Sequence, residues 1–395
     1  MSTSEAEPAA AGIERRRQPA RAENIGSLLR PKRLLEAMEK VYEPGHTALL
    51  AEERQKDLTE LRAVEDELIR DTVSRQINAG LDIVTDGEFR RGLFVNSFYD
   101  AVEGLQASTE PVPFHNAKGE TLYYPGPAII NRRLRKVGSP AVDETEFLKS
   151  TTQHPFKITF PAGSWFRMPF LWKPGVTDRD YQDEDALVEH VQGIHRDLVA
   201  DAVAAGARYI QFDYPSYVFL LDEDWLELIR SMDKDPAILF DKMIEADQEI
   251  IRDMPADVKV LLHLCRGNHQ SSWMTTGSLE PVAERMFNEL PYHAFHIEWE
   301  DIEREGDYSA LRYVPKGPII GLGIVSTKNP VIEEEDELMR RFEEASAYLD
   351  VSQLAVSTQC GFASTAPGNV LDEETQWRKL ELVGRVADRI WGTSS

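Results

Sequence analysis

The chain of 395 residues contains only two cysteines, Cys265 and Cys360. Cys265 follows an apolar run in the segment KVLLHLC, two residues after His263. Residues i and i+2 of a strand project to the same face, so the imidazole and the thiol stand together. Glu298 ends a second apolar segment, AFHIE. A carboxylate buried there costs several kcal/mol unless a cation or hydrogen bonds compensate it, an arginine being the ordinary alternative to a metal. Cys360 ends a third segment, LAVSTQC, and Gly361 after it allows a sharp turn. Two thiolates, one imidazole and one carboxylate form a donor set suited to zinc, and sulfur disfavours Mg or Ca. Their formal charge of about −3 makes the ion a poor activator of water. Such a centre suits another task, which is to lower the pKa of an incoming thiol while keeping it nucleophilic. The chemistry read from these residues is alkyl transfer to sulfur.

Positioning four such groups requires several strands that end at one place. Eight short apolar segments end near Ser27, Glu88, Gly163, Tyr214, Cys265, Trp299, Val325 and Cys360. Amphipathic stretches of helical length separate most of them, among them LRAVEDELIRDTVSRQINAG and DALVEHVQGIHRDLVADAVAAG. Repeated β/α alternation predicts a parallel sheet, and eight units predict an α/β (β/α)8 TIM barrel; an open doubly wound sheet is the alternative. Ser27, Asp86, Glu88, Asp213, His263, Cys265, Glu298, Ser326, Lys328 and Cys360 all fall at or just past strand ends, the edge where such barrels build active sites.

The domain reading is a flexible arm over residues 1–20 and one barrel over 21–395. A long insertion, residues 92–150, follows the second strand and serves as a lid or as the contact of a homodimer. Residues 166–184 form a shorter active-site loop. The formal net charge of −24 opposes nucleic acid and anionic membranes. The compact basic cluster Arg132, Arg133, Arg135 and Lys136 reads as a solvated face or as a grip for a small anionic tail. No apolar run reaches membrane-span length, and the N-terminus lacks the apolar core of a signal peptide. The expected compartment is the cytoplasm.

The motifs RAENIGSLLRP, VTDGEFRR, IQFDYP, HLCRGN, IEW and STQCGFAST resemble the catalytic barrel of cobalamin-independent methionine synthases. The resemblance spans roughly residues 21–393 and is nearest to the short, single-barrel bacterial branch. It implies zinc on His263, Cys265, Glu298 and Cys360. It implies homocysteine on Ser27, Glu88 and Asp213, and a methyltetrahydrofolate donor whose pterin stacks near Trp165. The chain departs from the family where Ser326 and Lys328 replace an Asp and a His, and where Tyr214 replaces an acidic residue. Lys328 is then the expected general acid or anion-binding group, with Glu88 and Asp213 as further catalytic candidates and Tyr214 beside the donor. The expected function is methyl transfer from a folate-type donor to homocysteine, giving methionine. The alternatives are alkylation of another thiol, such as epoxide opening by coenzyme M, and a zinc- or thiol-binding protein without catalysis.

Overall fold

The computed structural model describes residues 19–392 except 45, 47, 48, 169 and 170. The expected arm over residues 1–20 therefore lies almost wholly outside the described residues.

Strand β1 (Ala22–Glu23) is followed by β2 (Val102–Gln106), β3 (Pro111–His115), β4 (Thr121–Pro125) and β5 (Ile129–Lys136). After these come β6 (Ile158–Pro161), β7 (Tyr209–Asp213), β8 (Lys259–Leu264), β9 (Ala294–Glu298), β10 (Ile319–Val325) and β11 (Leu354–Thr358). Seven of them form one sheet in the order β1-β11-β10-β9-β8-β7-β6, parallel throughout. Two parallel bridges, Glu23 to Ile83 and Val84 to Phe156, join the ends of that sheet through an eighth position. The architecture is the expected (β/α)8 barrel.

The eighth position is shorter than the apolar segment DIVTDGE suggests, because side chains take over the backbone partners there. Gln76 accepts from the Thr85 N–H at 3.1 Å and donates to its carbonyl at 2.7 Å. The Asp82 carboxylate receives the N–H groups of Arg21 and Ala22 at 2.7 and 3.0 Å. Gly87 then turns the chain at φ 71°.

The outer helices include Thr59–Asn78, Glu184–Ala205, Pro236–Ile251, Glu335–Ser346 and Glu373–Trp391. Asp183, Asp235 and Asp372 each accept a backbone N–H from the first turn of the helix they precede, satisfying donors that have no partner within the helix. Valine, isoleucine and leucine from the strands fill the layer between sheet and helices; Ile210, Leu262, Ile320, Leu322, Leu354 and Val356 are fully buried there.

Residues 92–150 carry two antiparallel ribbons, β2 with β5 and β3 with β4. The second ribbon leans over the C-terminal edge of the barrel. His115 and Trp273 exchange both backbone hydrogen bonds, at 2.7 and 2.8 Å, stitching β3 to the loop after β8. Among the described residues no helix is long and apolar enough to cross a membrane.

Candidate metal centre and substrate cavity

His263 lies in β8 and Glu298 is the last residue of β9. The ladders stop at Leu264 and Thr358, so Cys265 is the first loop residue after β8 and Cys360 the second after β11, and neither lies at a strand end. The reason is local. The N–H of Arg266 turns to Glu298 Oε1 at 2.6 Å, and that of Gly267 turns to Cys265 Sγ at 3.3 Å. Neither N–H remains for a neighbouring strand. Gly323 pairs with Glu298 across the ladder, and a Cβ there would come within 2.6 Å of the Ile297 carbonyl oxygen. Glycine thus lets three strands meet closely behind the centre.

His263, Cys265, Glu298 and Cys360 are all buried, and one ligand atom from each lies within 4.8 Å of the other three. The two sulfurs are 3.5 Å apart and both thiols are free; a disulfide would need about 2.05 Å. Neither ring nitrogen of His263 has a hydrogen-bond partner. A buried, unpartnered imidazole between two thiols and a carboxylate is a donor set that fits zinc. Hydrogen bonding from Cys265 draws the Cys360 thiol well below its ordinary pKa, while burial and the neighbouring sulfur push Cys265 well above its own. Without a cation the pair therefore sheds its first proton readily and holds the second.

Glu298 is also the partner of Lys328, whose Nζ lies 2.9 Å from Oε2 and 3.5 Å from Glu300 Oε1. Burial works against the lysine's charge, but the two carboxylates outweigh it and its pKa is raised. Oε2 also receives the Gln359 amide at 3.5 Å, whereas Oε1 holds only the Arg266 N–H and can still accept another contact.

In front of the four groups opens a cavity of about 490 Å³. Ser27, Glu88, Asp213, Trp165 and Tyr214 line it together with His263, Cys265 and Cys360. Lys328, Ser326 and Glu298 lie behind that surface and do not line it. Glu88 receives the Thr159 hydroxyl at 2.8 Å, and its Oε2 has no partner. Asp213 receives the Gln211 amide at 2.8 Å. Burial pushes the Asp213 carboxyl up to about 7, with His263 pulling the other way. Ser27 lies so close to Cys360's neighbour that a Cβ on Gly361 would sit 2.1 Å from its Oγ.

Glu88 and Tyr214 both adopt left-handed backbone, φ 57° and 60°, a conformation costly for non-glycine residues and typical of sites where direction matters. Trp165 sits in a 3-10 turn, Gly163–Arg167. Its ring meets Phe94 and Tyr214 at centroid distances of 5.3 and 5.4 Å.

Several lining residues escaped sequence reading. Phe94, Phe114, Tyr124 and His269 contribute walls, and Thr159 and Gln211 hold the two carboxylates. The i, i+2 alternation in IQFD was sufficient to pair Gln211 with Asp213. Nothing local marks Phe114 or Tyr124, which reach the cavity on a ribbon more than 130 residues before the loop they touch. The basic cluster lies elsewhere, with Arg132 paired to Glu52, Arg135 to Glu103 and Lys136 to Asp201.

Comparison with known proteins agrees with this geometry. Residues 45–375 match the family model described as cobalamin-independent synthase, catalytic domain. The uncharacterized protein YxjG of Bacillus subtilis is 32% identical over 392 residues, covering 96% of this chain and 97% of its own. The methionine synthase of Pyrococcus abyssi is 25% identical over 360 residues, covering 90% and 88%. A crystal structure of a putative vitamin-B12 independent methionine synthase from Listeria monocytogenes superposes with a TM-score of 0.66 at 26% identity. That match covers 94% of this chain and 98% of the other. With barrel, cavity and sequence in agreement, the chain belongs to the cobalamin-independent methionine synthase family, as a version of its catalytic domain.

Proposed function

We propose that the protein is a zinc-dependent thiol S-methyltransferase that converts homocysteine to methionine. The observation that carries this reading is the convergence of His263, Cys265, Glu298 and Cys360 on one point, with His263, Cys265 and Cys360 facing one cavity and Glu298 just behind them. Bound there, zinc supplies positive charge that lowers the pKa of a thiol brought beside it. The chain's own residues fix the rest of the acceptor. Glu88 offers an unpartnered carboxylate oxygen, and Asp213 a second carboxylate, to the ammonium of an amino acid. The Ser27 hydroxyl, packed against Gly361, ties that end of the substrate to the loop bearing Cys360. The aromatic walls exclude water from the transferred methyl group, and a fixed approach of the two reactants provides much of the acceleration.

The methyltetrahydrofolate-type donor expected from the resemblance finds an aromatic ring in Trp165. Departure of a tertiary amine also calls for a proton. Lys328, held by Glu298 and Glu300 behind the cavity wall, fits better as a positioning residue for Glu298 than as that acid. Two free, adjacent thiols suit a reducing compartment, in keeping with a cytoplasmic enzyme. The test is mass spectrometry of thioethers formed from homocysteine with methyltetrahydrofolate and, separately, from coenzyme M with a small epoxide. Zinc-dependent formation of methionine supports the proposal; a coenzyme M thioether alone overturns it in favour of epoxide opening.

A further inference from the structure

Glu88 lines the cavity with one carboxylate oxygen already committed. Its Oε1 receives the Thr159 hydroxyl at 2.8 Å, whereas the buried Oε2 has no partner. The Thr159 oxygen in turn receives Arg91 Nη1 at 2.7 Å. A guanidinium can only donate, which leaves the hydroxyl hydrogen for the carboxylate.

Arg91 is itself aimed from behind. Its Nε and Nη2 grip Glu144, on the helix Pro140–Thr151, at 2.9 and 2.6 Å. This two-point contact fixes the plane of the guanidinium, whose Nη1 lies 3.7 Å from Glu88 Oε1. The backbone of Glu88 is held as firmly. Its N–H donates to Asp86 Oδ1 at 2.8 Å, and its carbonyl receives Arg30 Nη2 at 3.2 Å. Those bonds offset the cost of a left-handed φ at a residue with a side chain. Burial pushes the Glu88 pKa up, and Arg91 and the Thr159 hydroxyl pull against that rise.

Neither Thr159 nor Arg91 lines the cavity, and Thr159 reaches a bound thiol only through Glu88. The contacts have a chemical consequence. A carboxylate with Oε1 filled and its charge supported from behind offers one acceptor and no donor. An ammonium supplies the hydrogen that this oxygen lacks. A thiol without an amino group leaves it buried and unpaired, and sites built around such a bond reject ligands that cannot make it.

We propose that Thr159 and Arg91 are positioning residues that select thiols carrying an amino-acid ammonium, by holding Glu88 with Oε2 as its one open acceptor. The inference rests on the thiol-methylation reading above and adds the residues that choose its acceptor.

The test is titration calorimetry on the zinc-loaded protein with homocysteine and with 4-mercaptobutanoate, the same thiol without its amino group. The parent should favour homocysteine roughly 10–100-fold. Thr159→Val should weaken homocysteine about tenfold and change 4-mercaptobutanoate less than about twofold, and Thr159→Ser should keep the parent's preference. In the Glu88→Gln background the valine should add less than about twofold, because residues on one contact path are not additive. Arg91→Lys keeps a charge opposite Glu144 without the two-point grip, and should lower the preference about threefold. Circular dichroism checks that each variant is folded. Equal weakening of both thiols by Thr159→Val overturns the proposal, since lost packing alone would do that. An unchanged preference in both Thr159→Val and Arg91→Lys, or a valine effect that persists with Glu88→Gln, also overturns it. A parent that binds both thiols alike and still forms methionine overturns the selection and leaves the methyltransferase reading standing. A parent that binds neither thiol overturns both.

Discussion

Lys328 Nζ stands 2.9 Å from Glu298 Oε2, so a buried lysine and a candidate zinc ligand share one contact. Glu300 lies on the other side of the same ammonium at 3.5 Å. The cation that compensates Glu298 within the apolar strand end is therefore supplied by the chain, and the carboxylate is aimed before any metal arrives. Removing a partner that orients a metal ligand commonly costs 10–100-fold in affinity. Lys328→Met should accordingly bind zinc about 10–100-fold more weakly in competition with a chelator. An unchanged zinc affinity together with a reduced rate would return Lys328 to the role of acid.

Glu88, held by the Thr159 hydroxyl, meets the substrate rather than the metal in the proposed reading. Glu88→Gln keeps a hydrogen-bonding amide there but loses the charge that meets an ammonium, an interaction worth roughly 1.5–3 kcal/mol. The KM for homocysteine should rise roughly 10–100-fold with zinc content unaltered. Steady-state kinetics with parallel metal analysis checks this; loss of zinc in the variant would tie Glu88 to the metal centre instead.

The barrel rhythm and the grouping of His263, Cys265, Glu298 and Cys360 were legible in the sequence for one physical reason. Strand alternation and strand ends are local properties, and a His, two Cys and a Glu among Leu, Ile and Val stand out against them. The bridged position at Ile83 and Val84 was harder to delimit, because on either side of it side chains replace ladder bonds: Gln76 holds the Thr85 backbone, and the Asp82 carboxylate takes the Arg21 and Ala22 N–H groups. The destination of Lys328 was not legible either. Its position after β10 suggested the cavity, but its side chain reaches across to β9 and its neighbour Glu300. The wall formed by Phe114 and Tyr124 depends on how β3 docks on the loop at Trp273, a long-range contact with no local pattern.

Gly361 tests how tightly the Cys360 loop is packed. An added methyl would sit 2.1 Å from Ser27 Oγ and 3.0 Å from its backbone nitrogen. Overpacking of this kind costs about 1–3 kcal/mol. Gly361→Ala should lower the melting temperature, and adding Ser27→Gly should recover part of the loss. Additive effects of the two substitutions would show that they do not press on each other.

Asp247 offers a pH test away from the metal. It accepts the Ser164 N–H at 2.8 Å, its Oδ2 has no partner, and burial pushes its pKa up to about 7. An unfolded aspartate titrates near about 3.9. The folded state thus holds the proton more tightly, and stability falls as pH rises from about 4 to 7. Asp247→Asn removes this dependence, at about 1.4 kcal/mol per pKa unit. Its melting temperature relative to the parent should rise between about pH 5 and pH 8; an offset independent of pH would contradict the assignment.

The most direct measurement of the central claim is the zinc content of the purified protein and of its Cys265→Ser and Cys360→Ser variants, with folding checked by circular dichroism. The account predicts one tightly held zinc per parent chain and its loss from both folded variants. A metal-free parent chain that still methylates homocysteine, or variants that keep a full complement of zinc, would contradict it.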